Sequence, residues 1–279
     1  MLYGAKESAL EINASGSRRI KIKYISFGIG ERPLVIIPGL SLRSISGMAV
    51  PLAYMYRAFA KNFKVYIFDR RDDIPEGFTV SDIAGDTAES MRALSIESAD
   101  IIGISQGGMA AQYLAVRYPE LVRTVTLGVT LSRMNDTVTA AVNGWVKSAE
   151  SGDTGAVVND MVPRMYSDSY VKKYKRLLPL ISKFTKLEEP ERFVRLAKAC
   201  LTCDIYVELE KIKCPVFVIG GKQDKIVTGE ASEEIAEKLI SSGCKCRLFL
   251  YDGLGHAAYE EAKDFNLKIL EFISEQVSD

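Results

Sequence analysis

The chain reads as an α/β protein: a mainly parallel sheet flanked by helices, interrupted by a helical insertion. Three observations predict this. From about residue 18 to 130, short apolar runs suited to buried strands alternate with helical stretches. The alternation resumes at about residue 214 and continues to the end, whereas the stretch from Leu131 to Val207 reads as helices only. Strands that alternate with helices pair in parallel through crossovers that cover both faces of a sheet. The expected organisation is a core of residues 1–130 and 208–279, with residues 131–207 inserted as a helical cap over the sheet edge.

Arg18 to Phe27 alternates in the manner of a half-exposed strand. Leu34–Ile37, Val65–Phe68, Ile101–Ile104 and Val122–Leu127 are continuous apolar runs of buried parallel strands. Ser81 and Asp82 can cap a helix that runs to Leu94, and small and apolar residues carry a second helix from Gln106 to Tyr118, where Pro119 stops it. After Pro215 come a strand over Val216–Ile219, a helix over about Glu230–Ile240, a strand over Arg247–Tyr251 and an amphipathic helix over about Tyr259–Glu275. The insertion carries Trp145, Met161, Met165, Tyr166, Tyr170 and Tyr174, which either pack its helices together or line an apolar pocket. Trp145, Met161 and Met165 are the pocket candidates. The basic run Lys172-Lys173-Tyr174-Lys175-Arg176 is read as a solvated helix face, with an anionic substrate group as the other reading.

A chain of 279 residues can bury a sizeable core. Its 36 basic and 36 acidic side chains cancel, so no long-range field draws it to nucleic acid or to an anionic membrane. No segment approaches the 18 or more continuous apolar residues of a membrane span, and the opening MLYGAKESALEINASG lacks the basic flank and apolar centre of a signal peptide. The expected location is cytoplasmic, with the five cysteines reduced. Cys200-x-x-Cys203 falls in a helical stretch and Cys244-x-Cys246 at the start of a strand, whereas zinc knuckles sit in turns. Buried thiols are the expected reading, with no metal and no cofactor.

The chemistry is concentrated at three places. Gly103-Ile104-Ser105-Gln106-Gly107 matches Gly-x-Ser-x-Gly at a strand-to-helix junction, where the serine takes a strained backbone and its glycine neighbours avoid crowding the tight crossing. The helix that begins at Gln106 aims free amides at the point where negative charge would develop. The single histidine, His256, ends Gly253-Leu254-Gly255-His256, so only one imidazole is present for acid-base work near neutral pH. The acid expected between them in chain order is Asp224, in the loop after Val216–Ile219; Asp252, four residues before His256, is its rival. A second oxyanion donor is expected from the loop Pro38-Gly39-Leu40-Ser41, where Gly39 permits close approach and the Leu40 amide would join that of Gln106. The alternative for that loop is a plain turn.

These residues resemble the α/β-hydrolase fold family, in its lid-bearing small serine esterase and hydrolase branch. Val35-Ile36-Ile37-Pro38-Gly39, Phe68-Asp69-Arg70-Arg71, the Ser105 elbow, Tyr118-Pro119-Glu120-Leu121-Val122, Cys214-Pro215-Val216, Asp224 and Gly255-His256 stand in the family's order. Pro38 departs from the histidine common in the family's oxyanion loop, and the insertion resembles no single subgroup. The resemblance implies a catalytic triad of Ser105, His256 and Asp224 acting by acyl transfer on a small ester-like substrate through an acyl-enzyme intermediate. Assembly as a homo-oligomer is compatible with it. Three other readings stay open at this point: carbon-carbon bond hydrolysis or cofactor-free haloperoxidase and perhydrolase chemistry on the same fold, a ligand-binding protein with little turnover, and an amidase or aminopeptidase, for which the insertion lacks a clear acidic cluster to hold an amine.

Overall fold

The computed structural model describes residues 2–14, 19–174 and 187–276. Within these, the strands are β1 Lys6–Asn13, β2 Arg19–Phe27, β3 Arg32–Ile37, β4 Phe63–Phe68, β5 Ala99–Ile104, β6 Val122–Gly128, β7 Val216–Gly221 and β8 Cys246–Tyr251. They form one sheet in the order β1-β2-β4-β3-β5-β6-β7-β8. The β1-β2 and β2-β4 pairs are antiparallel and the remaining pairs parallel. Every apolar run read as a strand is one.

The central strands are buried on both faces, which is why they carry unbroken apolar runs. On β5, Ala99 and Ile101 face one half of the core, while Ile102 and Ile104 face the other. At the amino end of the sheet Asp100 is fully buried and held by a two-pronged ion pair from Arg32, at 2.5 and 2.8 Å, and by the Thr124 hydroxyl at 2.9 Å. This pair lies at the opposite end of β5 from Ser105 and serves the fold.

The helices are α1 Ala49–Met55, α2 Val80–Ala93, α3 Gln106–Arg117, α4 Asp136–Glu150, α5 Thr154–Met165, α6 Asp168–Tyr174, α7 Pro190–Cys200, α8 Gly229–Ser241, α9 Ala258–Glu261 and α10 Phe265–Glu275. Three details differ from expectation. Thr79, not Ser81, caps α2: its hydroxyl accepts from the Asp82 amide at 3.1 Å while the Asp82 carboxylate accepts from the Thr79 amide at 2.9 Å. The closing helix is broken between Glu261 and Phe265, because its first turn is drawn to the insertion by Tyr166 donating to Glu260 and Ser167 donating to Glu261. The β1 strand and the α1 helix escape sequence reading: β1 turns Leu10 and Ile12 inward and α1 turns Ala49, Leu52, Ala53 and Met55 inward, but each fully buries a single residue and is too short for its pattern to stand out.

The described part of the insertion is helical and leaves the sheet between the adjacent strands β6 and β7. Its two ends are tied by a bridge between Arg133 and Asp204 and by the Ile205 amide donating to Ser132 at 2.8 Å. Lys172 and Lys173 are exposed, and Lys175 and Arg176 lie outside the described residues. Among the described residues, no helix is long and apolar enough to cross a membrane.

After β3 the chain builds β4 on one side, then crosses to place β5 on the other. Neighbouring loops at the carboxyl ends of β3 and β5 therefore diverge and leave a crevice, the place where open α/β sheets bind ligands. The loop after β3 begins at Pro38 and that after β5 at Ser105.

Candidate active site

Ser105 stands at the junction of β5 and α3 with φ 53° and ψ −119°, a conformation that side-chain-bearing residues rarely adopt. The surroundings enforce it. The Ser105 amide donates to Gly128 at 2.8 Å, and its carbonyl accepts from Gly108 at 2.8 Å, Met109 at 3.1 Å and the Thr130 hydroxyl at 2.8 Å. A Cβ at Gly103 would meet Ala111 and Gly108 at 2.7 Å and the Gly107 carbonyl closer still; one at Gly107 would run into the backbone of Ile37 and Pro38. The strand-to-helix crossing is thus tight enough that only glycine fits at either place.

Asp224 and His256 arrive from the carboxyl ends of β7 and β8. Gly221 lets their loops cross, since a Cβ there would lie 2.6 Å from the Leu254 carbonyl carbon; the Gln223 amide donates to Leu254 at 2.9 Å. The Asp224 Oδ2 lies 2.7 Å from His256 Nδ1, and His256 Nε2 lies 3.0 Å from Ser105 Oγ. The other carboxylate oxygen of Asp224 accepts from the amides of Ile226 at 2.7 Å and Val227 at 3.0 Å, which fixes its plane. A carboxylate can only accept, so Nδ1 carries the proton and the Nε2 lone pair faces the serine. Such an imidazole can take up the hydroxyl proton, and the buried carboxylate can stabilise the cation that results. Asp252, by contrast, pairs with Lys222 at 2.8 Å with its side chain 85% exposed, and stands apart from the line of three.

Gly39 lies directly over the serine: a Cβ there would be 3.3 Å from Ser105 Cβ and 3.8 Å from its Oγ. Among the described residues, neither the Leu40 nor the Gln106 amide donates to another backbone carbonyl outside a helix. Leu40 follows Gly39, which packs on Ser105, and Gln106 follows Ser105 itself.

Around these groups is a narrow cavity of about 50 Å³. Trp145, Met161 and Met165 all line it, together with Leu40, Met109, Val138, Val142, Cys200, Ile226, Val227 and Tyr259. The Trp145 indole donates to Asp160 at 2.7 Å, and Arg164 holds the same oxygen at 2.8 Å, so the ring is pinned. Among the described residues, no lysine, arginine, aspartate or glutamate lines the cavity. The Val138, Val142, Trp145 spacing is a helical stripe that sequence reading could have flagged, whereas Cys200 and Tyr259 carry no such signal. Burial pushes the Cys200 thiol up to about 11, against the opposing pull of a hydrogen bond from Gln106, so it stays protonated. Tyr166, Tyr170 and Tyr174 are not among the residues that line the cavity; Tyr166 stacks on Tyr170 with ring centroids 4.4 Å apart, and Tyr174 packs tilted against Tyr170 at 4.5 Å. Among the described residues the thiols are unbonded to one another, and no cluster of three or more ligating side chains is arranged for a metal.

A family model described as alpha/beta hydrolase fold matches residues 32–263. The chain belongs to the alpha/beta hydrolase fold family. It is 23% identical over 232 residues to 3-oxoadipate enol-lactonase 2 of Acinetobacter baylyi, covering 80% of this chain and 83% of that protein. Among solved structures it resembles a thermophilic esterase from Thermogutta terrifontis, with a TM-score of 0.79, 20% identity and coverage of 96% and 99% of the two chains. It also resembles the enol-lactonase from Burkholderia xenovorans LB400, with a TM-score of 0.75, 21% identity and coverage of 95% and 100%. For an alpha/beta hydrolase the elbow, the acid loop and the histidine loop stand in the usual chain order.

Proposed function

We propose that this alpha/beta hydrolase is a serine hydrolase cleaving small, uncharged, ester-like substrates. The observation that carries the reading is the unbroken line from Asp224 through His256 to a serine held at positive φ. Ser105 Oγ attacks the substrate carbonyl carbon as His256 Nε2 takes its proton, and the carbonyl oxygen becomes an oxyanion facing the amides of Leu40 and Gln106. Collapse of the adduct breaks the bond to the leaving alkoxide, which receives the proton from His256 and leaves an acyl group on Ser105. Water, deprotonated by the same imidazole, then attacks the acyl carbon, and collapse of that adduct releases the acid as His256 returns the proton to Ser105 Oγ.

The insertion, residues 131–207, is on this reading a cap over the acyl site. A cavity of about 50 Å³ whose described lining carries no charged side chain favours a short neutral acyl group, because a carboxylate placed against that lining would be desolvated and unpaired. The names of two relatives, an enol-lactonase and an esterase, support ester hydrolysis as the bond type.

The test is labelling by an alkyl fluorophosphonate followed by peptide mapping, alongside p-nitrophenyl acetate turnover. The expected adduct is on Ser105, and Ser105→Ala abolishes both labelling and turnover with an unchanged melting temperature. Loss of a nucleophile lowers kcat by about 10⁴ to 10⁶. A mutant that keeps more than a tenth of wild-type turnover would refute the assignment.

A further inference from the structure

Behind the serine lies a buried polar group that the reaction as written does not use. Arg70 is 6% exposed, and its Nη2 donates to the Pro38 carbonyl at 2.5 Å and to Gln106 Oε1 at 3.4 Å. Gln106 Nε2 in turn donates to the Leu196 carbonyl at 2.7 Å and to Cys200 Sγ at 3.1 Å, both on α7. The adjoining carboxylate, Asp69, accepts instead from the Arg70 backbone amide at 2.7 Å and from Arg192 at 3.0 Å, and Arg70 Nε has no partner among the described residues. Burial brings the guanidinium down to about 10, with Asp69 opposing.

A buried cation that forms no direct carboxylate pair is an expensive way to fill space, and an apolar side chain would be more stable there. Its two acceptors, however, belong to the residues around the two oxyanion amides. The peptide unit is planar, so pinning the Pro38 oxygen fixes the Pro38-Gly39 plane and leaves only the torsions of Gly39 between that anchor and the Leu40 amide. Glycine is the residue least able to hold such a torsion unaided. The fork's second contact steadies the side chain of the other donor residue.

We propose that Arg70, through Pro38 and Gln106, is a positioning residue that sets the spacing of the Leu40 and Gln106 amides; this rests on the serine hydrolase reading. Gln106 further ties that spacing to α7, so the oxyanion site is formed when α7 is seated.

The experiment compares wild type with Arg70→Met, Arg70→Lys and Gln106→Met, each checked for fold by circular dichroism and thermal melting. Two readouts are used: kcat and KM on p-nitrophenyl acetate, and the rate constant for phosphonylation by an alkyl fluorophosphonate. In the second, Ser105 Oγ bonds to phosphorus, fluoride leaves, the serine proton passes to His256, and the phosphoryl oxygen needs the same amides. Removing an oxyanion donor outright lowers kcat about 10² to 10³-fold, so a displaced one should give about ten- to a hundredfold in Arg70→Met. KM should stay within about twofold, and phosphonylation should slow by the same factor as kcat. Arg70→Lys should recover part of the loss by reaching Pro38 alone, and Gln106→Met should give a smaller loss of the same kind. If Arg70→Met does not fold, Gln106→Met and Arg70→Lys carry the comparison. Folded variants with kcat and phosphonylation within twofold of wild type, or with the loss confined to KM, overturn the proposal. If wild type itself is not labelled on Ser105, the serine reading falls and this one with it; labelling of wild type and variants at equal rates removes this proposal alone.

Discussion

Gly107→Ala is the substitution whose outcome follows most directly from the elbow geometry. A Cβ at this position would stand 2.5 Å from the Ile37 carbonyl carbon and 2.6 Å from the Pro38 oxygen, and closer still to the Ile37 oxygen. Carbon atoms settle at about 3.5–4.0 Å, so the start of α3 and the end of β3 must part by about 1 Å. Both elements are backbone with no rotamer to yield. Overpacking of this kind costs about 1–3 kcal/mol, which for a chain of this size lowers the melting temperature by roughly 2–4 °C per kcal/mol. The same displacement separates the Leu40 and Gln106 amides, and a misplacement of about 1 Å at a reacting centre can cost about 10²-fold in rate. The assay is kcat/KM on p-nitrophenyl acetate with a thermal melt of the same sample. Gly144→Ala is the control, because a Cβ there meets nothing within 4 Å on the exposed face of α4, and it should raise stability by about 0.5–1 kcal/mol with activity unchanged. A folded Gly107→Ala protein within tenfold of wild-type activity would show that the two amides do not need this spacing.

Asp224→Asn should lower kcat about 10⁴-fold by favouring the wrong imidazole tautomer, whereas Asp252→Asn should stay within about twofold; the reverse ranking would move the acid to Asp252. Because His256 is the only imidazole, inactivation by diethyl pyrocarbonate that hydroxylamine reverses reports on that residue, and full activity after complete carbethoxylation, verified by mass spectrometry, would exclude it as the base. Trp145→Ala or Met165→Ala should shift the p-nitrophenyl ester profile from acetyl towards longer chains, and an unchanged profile in both would mean that their contacts are packing alone. Arg32→Met should destabilise the fold by about 1–3 kcal/mol in urea melts, because the buried Asp100 loses its two-pronged partner and keeps the Thr124 hydroxyl and the more distant Arg123 at 3.5 Å, with little effect on kcat in the surviving folded protein.

The sheet was legible because its central strands are buried on both faces. Val35, Ile101, Val125 and Val218 face one half of the core while Leu34, Ile102 and Phe217 face the other, so their strands appear as apolar runs whatever the register. β1 was not legible for the converse reason, since on this edge strand the inward alternation rests on Leu10 and Ile12 among charged and small residues. The break in the closing helix was hidden too. It depends on Tyr166 and Ser167 bonding to Glu260 and Glu261 across about 94 positions of sequence, and local periodicity carries no trace of such a contact.

At the site, the residues with a fixed backbone reason were readable and those with only a spatial reason were not. Gly103, Ser105 and Gly107 announce themselves because the crossing excludes other residues, and Asp224 and His256 because parallel strands place their carboxyl ends on one edge. Arg70, one residue after Asp69, looks in sequence like either member of an arginine pair; only the fold separates Arg71, which pairs with Asp86 at the surface of the core, from Arg70, which turns inward to Pro38. The same holds for Gln106, legible as an amide at a helix start but silent about its side chain reaching α7. The elbow itself is therefore local, while on the proposed reading its alignment would draw on Arg70, in the loop after β4, and on α7 of the insertion. Substitutions on α7, more than 90 positions from the serine, should accordingly alter kcat when they disturb Leu196 or Cys200 against Gln106, and leave it alone when they fall on the exposed Lys198.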